Sequence, residues 1–305
     1  MSRSTSHIIT FANIKGGVGK TSSVVNIAYL LGTEFNKRVL VIDADDQGNA
    51  TKALGVRESF DRDHESLWCA LDQKRRYQEV LVNSPYENIW VIPSTKELKG
   101  AQLAFGQSAR GIKLFKKMLQ GVSKDFDFVL IDTKPQINIL LQAALAASDF
   151  YMIPSFPEPD SYDGFIDLVA ECEEIFEEEN PNLRCLGVLL TCVKKIPAHD
   201  AYVKFIQKHL QKAHVPYFKP VIRASNAMAT GGLQSCPAVA LPGSYAIRED
   251  YLKVTKMMLR QVTKLPSGKG KRPDLELLGL DAGDNKLPSQ DILKISDNIE
   301  PIAIR

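Results

Sequence analysis

The sequence predicts an α/β fold: a doubly wound, mostly parallel sheet flanked by helices. Three observations carry this reading. Short apolar runs alternate with helix-length segments, the pattern of repeated βαβ units. Those runs are apolar throughout instead of alternating with polar residues, so both faces of each strand are buried, as in a parallel sheet. A glycine-rich stretch, "NIKGGVGKTSS" (13–23), stands between the first run and the first helical segment, where open α/β sheets place their ligands.

The elements follow in order. "HIITFANI" (7–14) reads as a strand and "KTSSVVNIAYLLG" (20–32) as a helix. Further strands are expected at "KRVLVIDAD" (37–45), "NIWVIPS" (88–94), "FDFVLIDT" (126–133), "DFYMIPS" (149–155), "CLGVLLTCV" (185–193) and "YFKPVI" (217–222). Helix-length segments lie at 108–121, 161–178 and 199–213, and an amphipathic helix covers roughly 246–263. Residues 1–264 then form one domain. "LPSGKGKRP" (265–273), with two prolines and two glycines, reads as a linker. Residues 274–305 form an acidic tail, read as mostly disordered with a short helix at 289–296.

Composition narrows the class. The chain has 305 residues, 44 % hydrophobic and 24 % charged, as in ordinary globular proteins. Its net charge of +2 is unevenly spread: residues 273–305 carry seven acids and three bases, leaving +6 on residues 1–272. Cys69, Cys172, Cys185, Cys192 and Cys236 show no C-x-x-C spacing. That argues against a zinc site or disulfide framework and for a reducing cytoplasm, with the thiols as small buried side chains. No run approaches the ~18 apolar residues of a membrane span, and the N-terminus lacks the apolar core of a signal peptide.

The glycine-rich stretch matches the second half of the phosphate-binding pattern G-x-x-x-x-G-K-[ST] through Gly19, Lys20 and Thr21. Ile14 stands where the first glycine belongs, and a second lysine, Lys15, follows it. Gly16, Gly17 and Gly19 let successive backbone N–H groups converge on an anion. The start of the following helix adds its partial positive charge. Residues 15–22, including Val18 and Ser22, therefore make up the expected nucleotide loop. Lys20 is expected on the β/γ-phosphates and Thr21 on Mg²⁺. Asp43 and Asp45 fall at the end of the second strand and Asp132 at the end of the fourth. A hydrophobic strand ending in aspartate commonly holds Mg²⁺ directly or through water, so Asp45 and Asp132 are the candidate acids for the metal.

With these motifs in hand, the sequence resembles the ParA/MinD group of P-loop ATPases with a deviant Walker A motif. "KGGVGKT", "VLVIDADDQGNAT" and "FVLIDTKPQ" carry the group resemblance. "DDQGNATKALG" (45–55), "AALAASDFYMIPSFPEPDSYDG" (143–164) and "RASNAMATGGLQSCPAV" (223–239) resemble ParA, the partition ATPase. The likeness covers roughly residues 7–263. It implies ATP and Mg²⁺ as cofactors and slow ATP hydrolysis that a partner accelerates. It implies that Lys15 crosses a homodimer interface to the phosphates held by the other subunit, offsetting repulsion between two facing nucleotides. It also implies that Asp45 orients the attacking water. Lys15, Lys20 and Asp45 are thus the expected catalytic set. Two departures stand out: Asp46 and Lys134 where the family usually has proline, with Gln136 where a small residue is common. Lys134 either adds a phosphate contact or pairs with Asp46, and pairing is favoured. The loops after 191 and 222 are expected near the adenine.

The resemblance extends to DNA coating without sequence reading. In "REDYLKVTKMMLRQVTK", Tyr251, Val254, Met258 and Val262 share one face while Lys253, Lys256, Arg260 and Lys264 share the other. Lys204, Lys208 and Lys212 form a second row. Arg223 stands where the family often carries a DNA-binding arginine, and Lys269, Lys271 and Arg272 extend the charge. The implied partners are a second copy of the chain, non-specific DNA and a ParB-like centromere-binding protein, in a cytoplasmic, nucleoid-associated setting without membrane. About a dozen residues precede the loop, so the resemblance is to the short ParA type, without an N-terminal DNA-reading domain. The alternatives are a related ATPase that positions a protein cargo, a MinD-like membrane ATPase, disfavoured by the acidic, proline-broken C-terminus, and an iron-protein-like reductase, which needs cluster cysteines this spacing does not supply.

Overall fold

The computed structural model describes residues 6–62, 64–105, 109–158, 160–264, 272–274, 277 and 278. Seven strands form one sheet. In chain order the elements are β1 (His7–Phe11), α1 (Lys20–Thr33), β2 (Val39–Ala44), α2 (Asn49–Ala53), α3 (Leu67–Asp72), β3 (Val82–Asn83), β4 (Ile89–Ile92), α4 (Gly100–Phe105), α5 (Ala109–Met118), β5 (Phe128–Thr133), α6 (Ile139–Ala146), β6 (Phe150–Ser155), α7 (Asp160–Glu178), β7 (Arg184–Leu190), α8 (Pro197–Lys212), α9 (Asn226–Gln234) and α10 (Tyr245–Lys264). The strand order is β3-β4-β2-β5-β1-β6-β7. Every pairing is parallel except β3 with β4.

The apolar strands are filled from both sides. On β2, Leu40, Ile42 and Ala44 enter one core layer while Val39 and Val41 enter the other. The first layer packs under α3, α5, α6, α7 and α8. The second is covered mainly by α1 and α10, whose Tyr251, Val254, Met258 and Val262 are all buried. The doubly wound sheet is therefore as the sequence predicts, and the apolar face of the last helix is the one its spacing marks.

Three expectations are corrected. Residues 217–222 do not form a strand. They run beside β7 through Phe218 N–H to Val188 O and Ile222 N–H to Leu190 O, but yield only isolated bridges at Val188–Tyr217 and Val193–Arg223. Pro220 has no N–H to donate and the chain bends there, so the ladder breaks. Cys192 lies beyond β7, exposed and with φ +54°, while Cys185 and Cys236 are half-buried; only Cys69 and Cys172 are the buried thiols expected. Arg272 does not extend an open positive surface. It pairs with Glu173 and Glu177 of α7 and stacks over the Phe176 ring at 4.0 Å. Beyond it, Asp274 donates its N–H to Ala213 O at 2.9 Å, and Leu278 is 2 % exposed within the first core layer. The chain is thus packed on α7 and the end of α8 where the acidic tail was expected to begin. Lys269, Lys271 and the helix expected at 289–296 lie outside the described residues.

Candidate nucleotide site

The site forms at the carboxyl ends of β1, β2 and β5, next to one another in the sheet. The glycine-rich loop joins β1 to α1. Gly17 and Gly19 take φ +77° and +83°, the left-handed region that favours glycine. The rest of the loop is anchored by side chains. Asn13 donates from Nδ2 to Pro154 O at 2.8 Å and accepts the Lys15 N–H on Oδ1 at 2.9 Å. Thr191 Oγ1 donates to Val18 O at 2.9 Å. Ile14, in place of the first motif glycine, fills the space left by Gly164 of α7, whose added Cβ would lie 3.1 Å from Ile14 Cγ1.

Lys20 opens α1, is 6 % exposed and donates to Lys15 O at 3.2 Å. Burial lowers its pKa, opposed by the carboxylates of Asp132 and Asp45. Thr21 Oγ1 donates to Asp132 Oδ2 at 2.7 Å. The two strand-end acids face each other across the sheet, Asp43 in register with Asp132. Asp43 is occupied structurally: its Oδ2 accepts Thr51 N–H and Oγ1–H, both at 2.7 Å, and its Oδ1 accepts the Asp45 N–H at 3.2 Å. Burial pushes Asp43 up to about 6. Burial, then the nearby Asp43 carboxyl, raises Asp132 well above the usual range. Asp132 Oδ1 is buried and has no hydrogen-bond partner among the described residues. A buried carboxylate oxygen in that state calls for a cation or water.

A cleft of about 640 Å³ opens over this machinery, within the range of small-molecule sites. Its floor includes Gly17, Gly19, Lys20, Thr21 and Ser22, and its flank Asp45, Gln47, Thr133 and Lys134. The far end is more apolar, with Met228, Pro237 and Ala238 beside Gly232 and Cys236. Of the expected site residues, the structure gathers Gly17, Gly19, Lys20, Thr21, Ser22 and Asp45 around the cleft and pairs Asp132 with Thr21. Lys15 and Gly16 sit at the lip, outside the lining, and Val18 is buried beneath the loop. Met228 and Gly232 of α9, with Cys236, Pro237 and Ala238 after it, line the cleft beyond residue 222, whereas Thr191 braces the loop. Gln47, Met228 and Pro237 belong to stretches that carried the family resemblance, but neither periodicity nor motif assigned them a role.

The basic candidates differ among themselves. Arg223 is held by Asp250, with Nε to Oδ2 at 2.6 Å and Nη2 to Oδ1 at 2.7 Å. Lys253 pairs with Glu249 one turn earlier at 2.7 Å. Lys256, Arg260 and Lys264 are exposed on α10. Lys134 Nζ lies 2.6 Å from Asp46 Oδ2, so the favoured pairing is the one present. Among the described residues no three His, Cys, Asp or Glu side chains group into a ready-made metal cage, and no helix is long and apolar enough to cross a membrane.

A phosphate loop with a buried lysine, set among strand-end aspartates on a parallel sheet, defines a P-loop nucleotide-binding protein. Comparison with known proteins agrees. Residues 6–185 match the AAA domain family. The chain is 33 % identical over 262 residues to the chromosome partitioning protein ParA of Myxococcus xanthus, covering 84 % of this chain and 89 % of that protein. Among solved structures, McdA from Cyanothece superposes with a TM-score of 0.73 at 22 % identity, over 83 % of this chain and 99 % of that one. Cobyrinic acid a,c-diamide synthase from Mycobacterium smegmatis, bound to an ATP analogue and magnesium, superposes at 0.70 with 25 % identity, over 87 % and 100 %. The chain belongs to the ParA family of partition ATPases.

Proposed function

We propose that this chain binds and hydrolyses ATP with Mg²⁺, dimerises when ATP is bound, and in that state coats DNA to drive partition of a plasmid or chromosome. The observation that carries the reading is the Thr21–Asp132 pair beneath a cleft that also holds Lys20 and Asp45. The residues fit the cation: Thr21 Oγ1 and the orphaned Asp132 Oδ1 are hard oxygen donors, and Mg²⁺ commonly completes its shell with phosphate oxygens and water. When bound, Mg²⁺ neutralises charge on the β- and γ-phosphates. Lys20 exchanges the Lys15 carbonyl for phosphate oxygens. Asp45 holds the attacking water, and the Met228–Pro237–Ala238 end receives the base. Lys15, at the lip, serves the nucleotide of the second subunit. A ParB-like protein accelerates turnover, and the protein works in the cytoplasm on the nucleoid.

The test compares binding with turnover. Lys20→Ala should lose a fluorescent ATP analogue. Asp45→Ala should bind it and release phosphate at least about tenfold more slowly. Full binding by Lys20→Ala sinks the assignment of the loop, and normal turnover by Asp45→Ala moves the water-holding role to another acid.

A further inference from the structure

Asp46 and Lys134, two departures from the family pattern, meet in the structure. Lys134, in the turn after β5, and Asp46, in the turn after β2, are 88 residues apart, yet Lys134 Nζ and Asp46 Oδ2 are 2.6 Å apart. Asp46 is 6 % exposed, and its second oxygen, Oδ1, accepts Gln47 Nε2–H at 2.6 Å. Gln47 donates its backbone N–H to Asp45 Oδ1 at 3.0 Å. The contacts therefore run unbroken from Lys134 through Asp46 and Gln47 to the Asp45 carboxylate, and Lys134, Gln47 and Asp45 all line the cleft.

The far end of this chain is fixed. Thr133 Oγ1 donates to Phe11 O at 2.7 Å, binding the β5 turn to β1. Gln136 N–H returns to Lys134 O at 2.9 Å. Pro135 faces Gly16 of the phosphate loop, 4.0 Å from where a Cβ would stand. Lys134 springs from an anchored turn with its side chain 28 % exposed, and the nearly buried Asp46 carboxylate is held at both oxygens. Proline at these two positions would stiffen the turns through its ring; a charge-assisted pair ties them to each other instead.

We propose that Lys134 is a positioning residue for hydrolysis, setting the orientation of Asp45 through Asp46 and Gln47. This rests on the reading of Asp45 as the residue that orients water. Removing the lysine charge frees Asp46 to reorient, releases the Gln47 side chain and loosens the backbone that holds Asp45. Misplacement of about 1 Å at such a group can cost up to about a hundredfold in rate. A partial loss of about tenfold is expected here, because the Gln47 N–H bond itself survives.

The experiment measures Mg²⁺-dependent phosphate release and the affinity for a fluorescent ATP analogue in Lys134→Met, Asp46→Asn, the double variant and Lys134→Arg. Each single change should lower kcat about tenfold while affinity stays within about twofold. The double variant should be no slower than either single one, because both break the same chain. Lys134→Arg, which keeps the charge and folds without an unpaired carboxylate, should restore most of the rate. Unchanged kcat in Lys134→Met overturns the proposal. So does weakened affinity in Lys134→Met but not in Asp46→Asn, which would make Lys134 a direct phosphate ligand. Losses that multiply in the double variant overturn it as well. A parent chain without phosphate release overturns the hydrolysis reading and this proposal together, whereas turnover equal in parent and variants overturns this proposal alone.

Discussion

Arg223→Ala should destabilise the protein before it is ever tested on DNA. Asp250 keeps only 8 % of its side chain exposed, while the Arg223 side chain is 38 % exposed. Three donors of Arg223 reach that carboxylate: the backbone N–H at 3.1 Å, Nε at 2.6 Å and Nη2 at 2.7 Å. Alanine keeps the first and removes the two charge-assisted ones. Breaking a fully buried pair costs about 3–5 kcal/mol, and an exposed pair contributes about 0–1 kcal/mol. With one partner buried and the other in contact with water, the loss should be about 2 kcal/mol, intermediate between those limits. For a domain of this size that corresponds to about 4 °C in Tm. Urea unfolding of the nucleotide-free chain measures it, with Asp250→Asn and the double variant completing a cycle. A loss below about 0.5 kcal/mol, the range of ordinary surface changes, would show that the pair does not hold α10 to the segment before α9. If the loss is as expected, weakened DNA binding by Arg223→Ala counts as a DNA contact only when measured well below the lowered Tm.

Other outcomes follow from the same geometry. Lys15→Gln should keep ATP binding and lose the ATP-dependent dimer in light scattering, because a neutral side chain at the lip cannot offset phosphate charge on a second subunit; an intact dimer would return Lys15 to the role of a loop lysine. Lys256→Glu with Arg260→Glu should weaken binding to any duplex alike and flatten its dependence on salt by about two in log–log slope, one per phosphate contact; an unchanged gel shift would move the interface elsewhere. Asp43 and Asp132 have raised pKa values, so between about pH 4 and 6 the folded chain keeps protons that the unfolded chain, near pKa 3.9, has released. Their contribution to nucleotide-free stability should therefore fall as pH rises from about 4 through about 6. Asp43→Asn should flatten that trend in thermal melts, and an identical slope would show that these acids do not cause it.

The chemistry of the phosphate loop was legible because it is local. Glycines at positive φ, a lysine at the first turn of a helix and a threonine beside it lie within a few residues, and spacing suffices to read them. The strands were legible for a similar reason, since runs buried on both faces advertise themselves. Pairs distant in sequence were not. Nothing within "RASNAMA" reveals that Arg223 is held by an aspartate 27 residues later, so an arginine read as open for DNA is partly neutralised within the fold. Lys134 was a partial exception, because two departures from one family pattern suggested each other. The extension to Gln47 and Asp45 needed the turn geometry. The two-residue β3, antiparallel at the sheet edge, is too short to leave a periodic signal.

The acidic tail shows how a composition boundary and a packing boundary can part. Charge counting placed the break at 273/274 and gave residues 273–305 a net −4. Yet Leu278 is 2 % exposed and sits in the core layer with Leu210, Ala213 and Val215. Burying a leucine stabilises by about 1.5–3 kcal/mol, so cutting the chain after Arg272 would disturb the body as well as remove acids. Residues 279–305 alone carry five acids and three bases, a net −2. A tethered segment of that charge competes with DNA phosphates for the α10 lysines far more weakly than one of −4, and only where salt does not screen it. The discriminating comparison is therefore the full chain against one ended after Leu278, assayed for ATP-dependent duplex binding at low and at physiological salt. Tighter binding by the shortened chain, confined to low salt and with equal phosphate release in the absence of DNA, is the expected sign of internal competition. Equal affinity at low salt would remove the tail from DNA binding altogether.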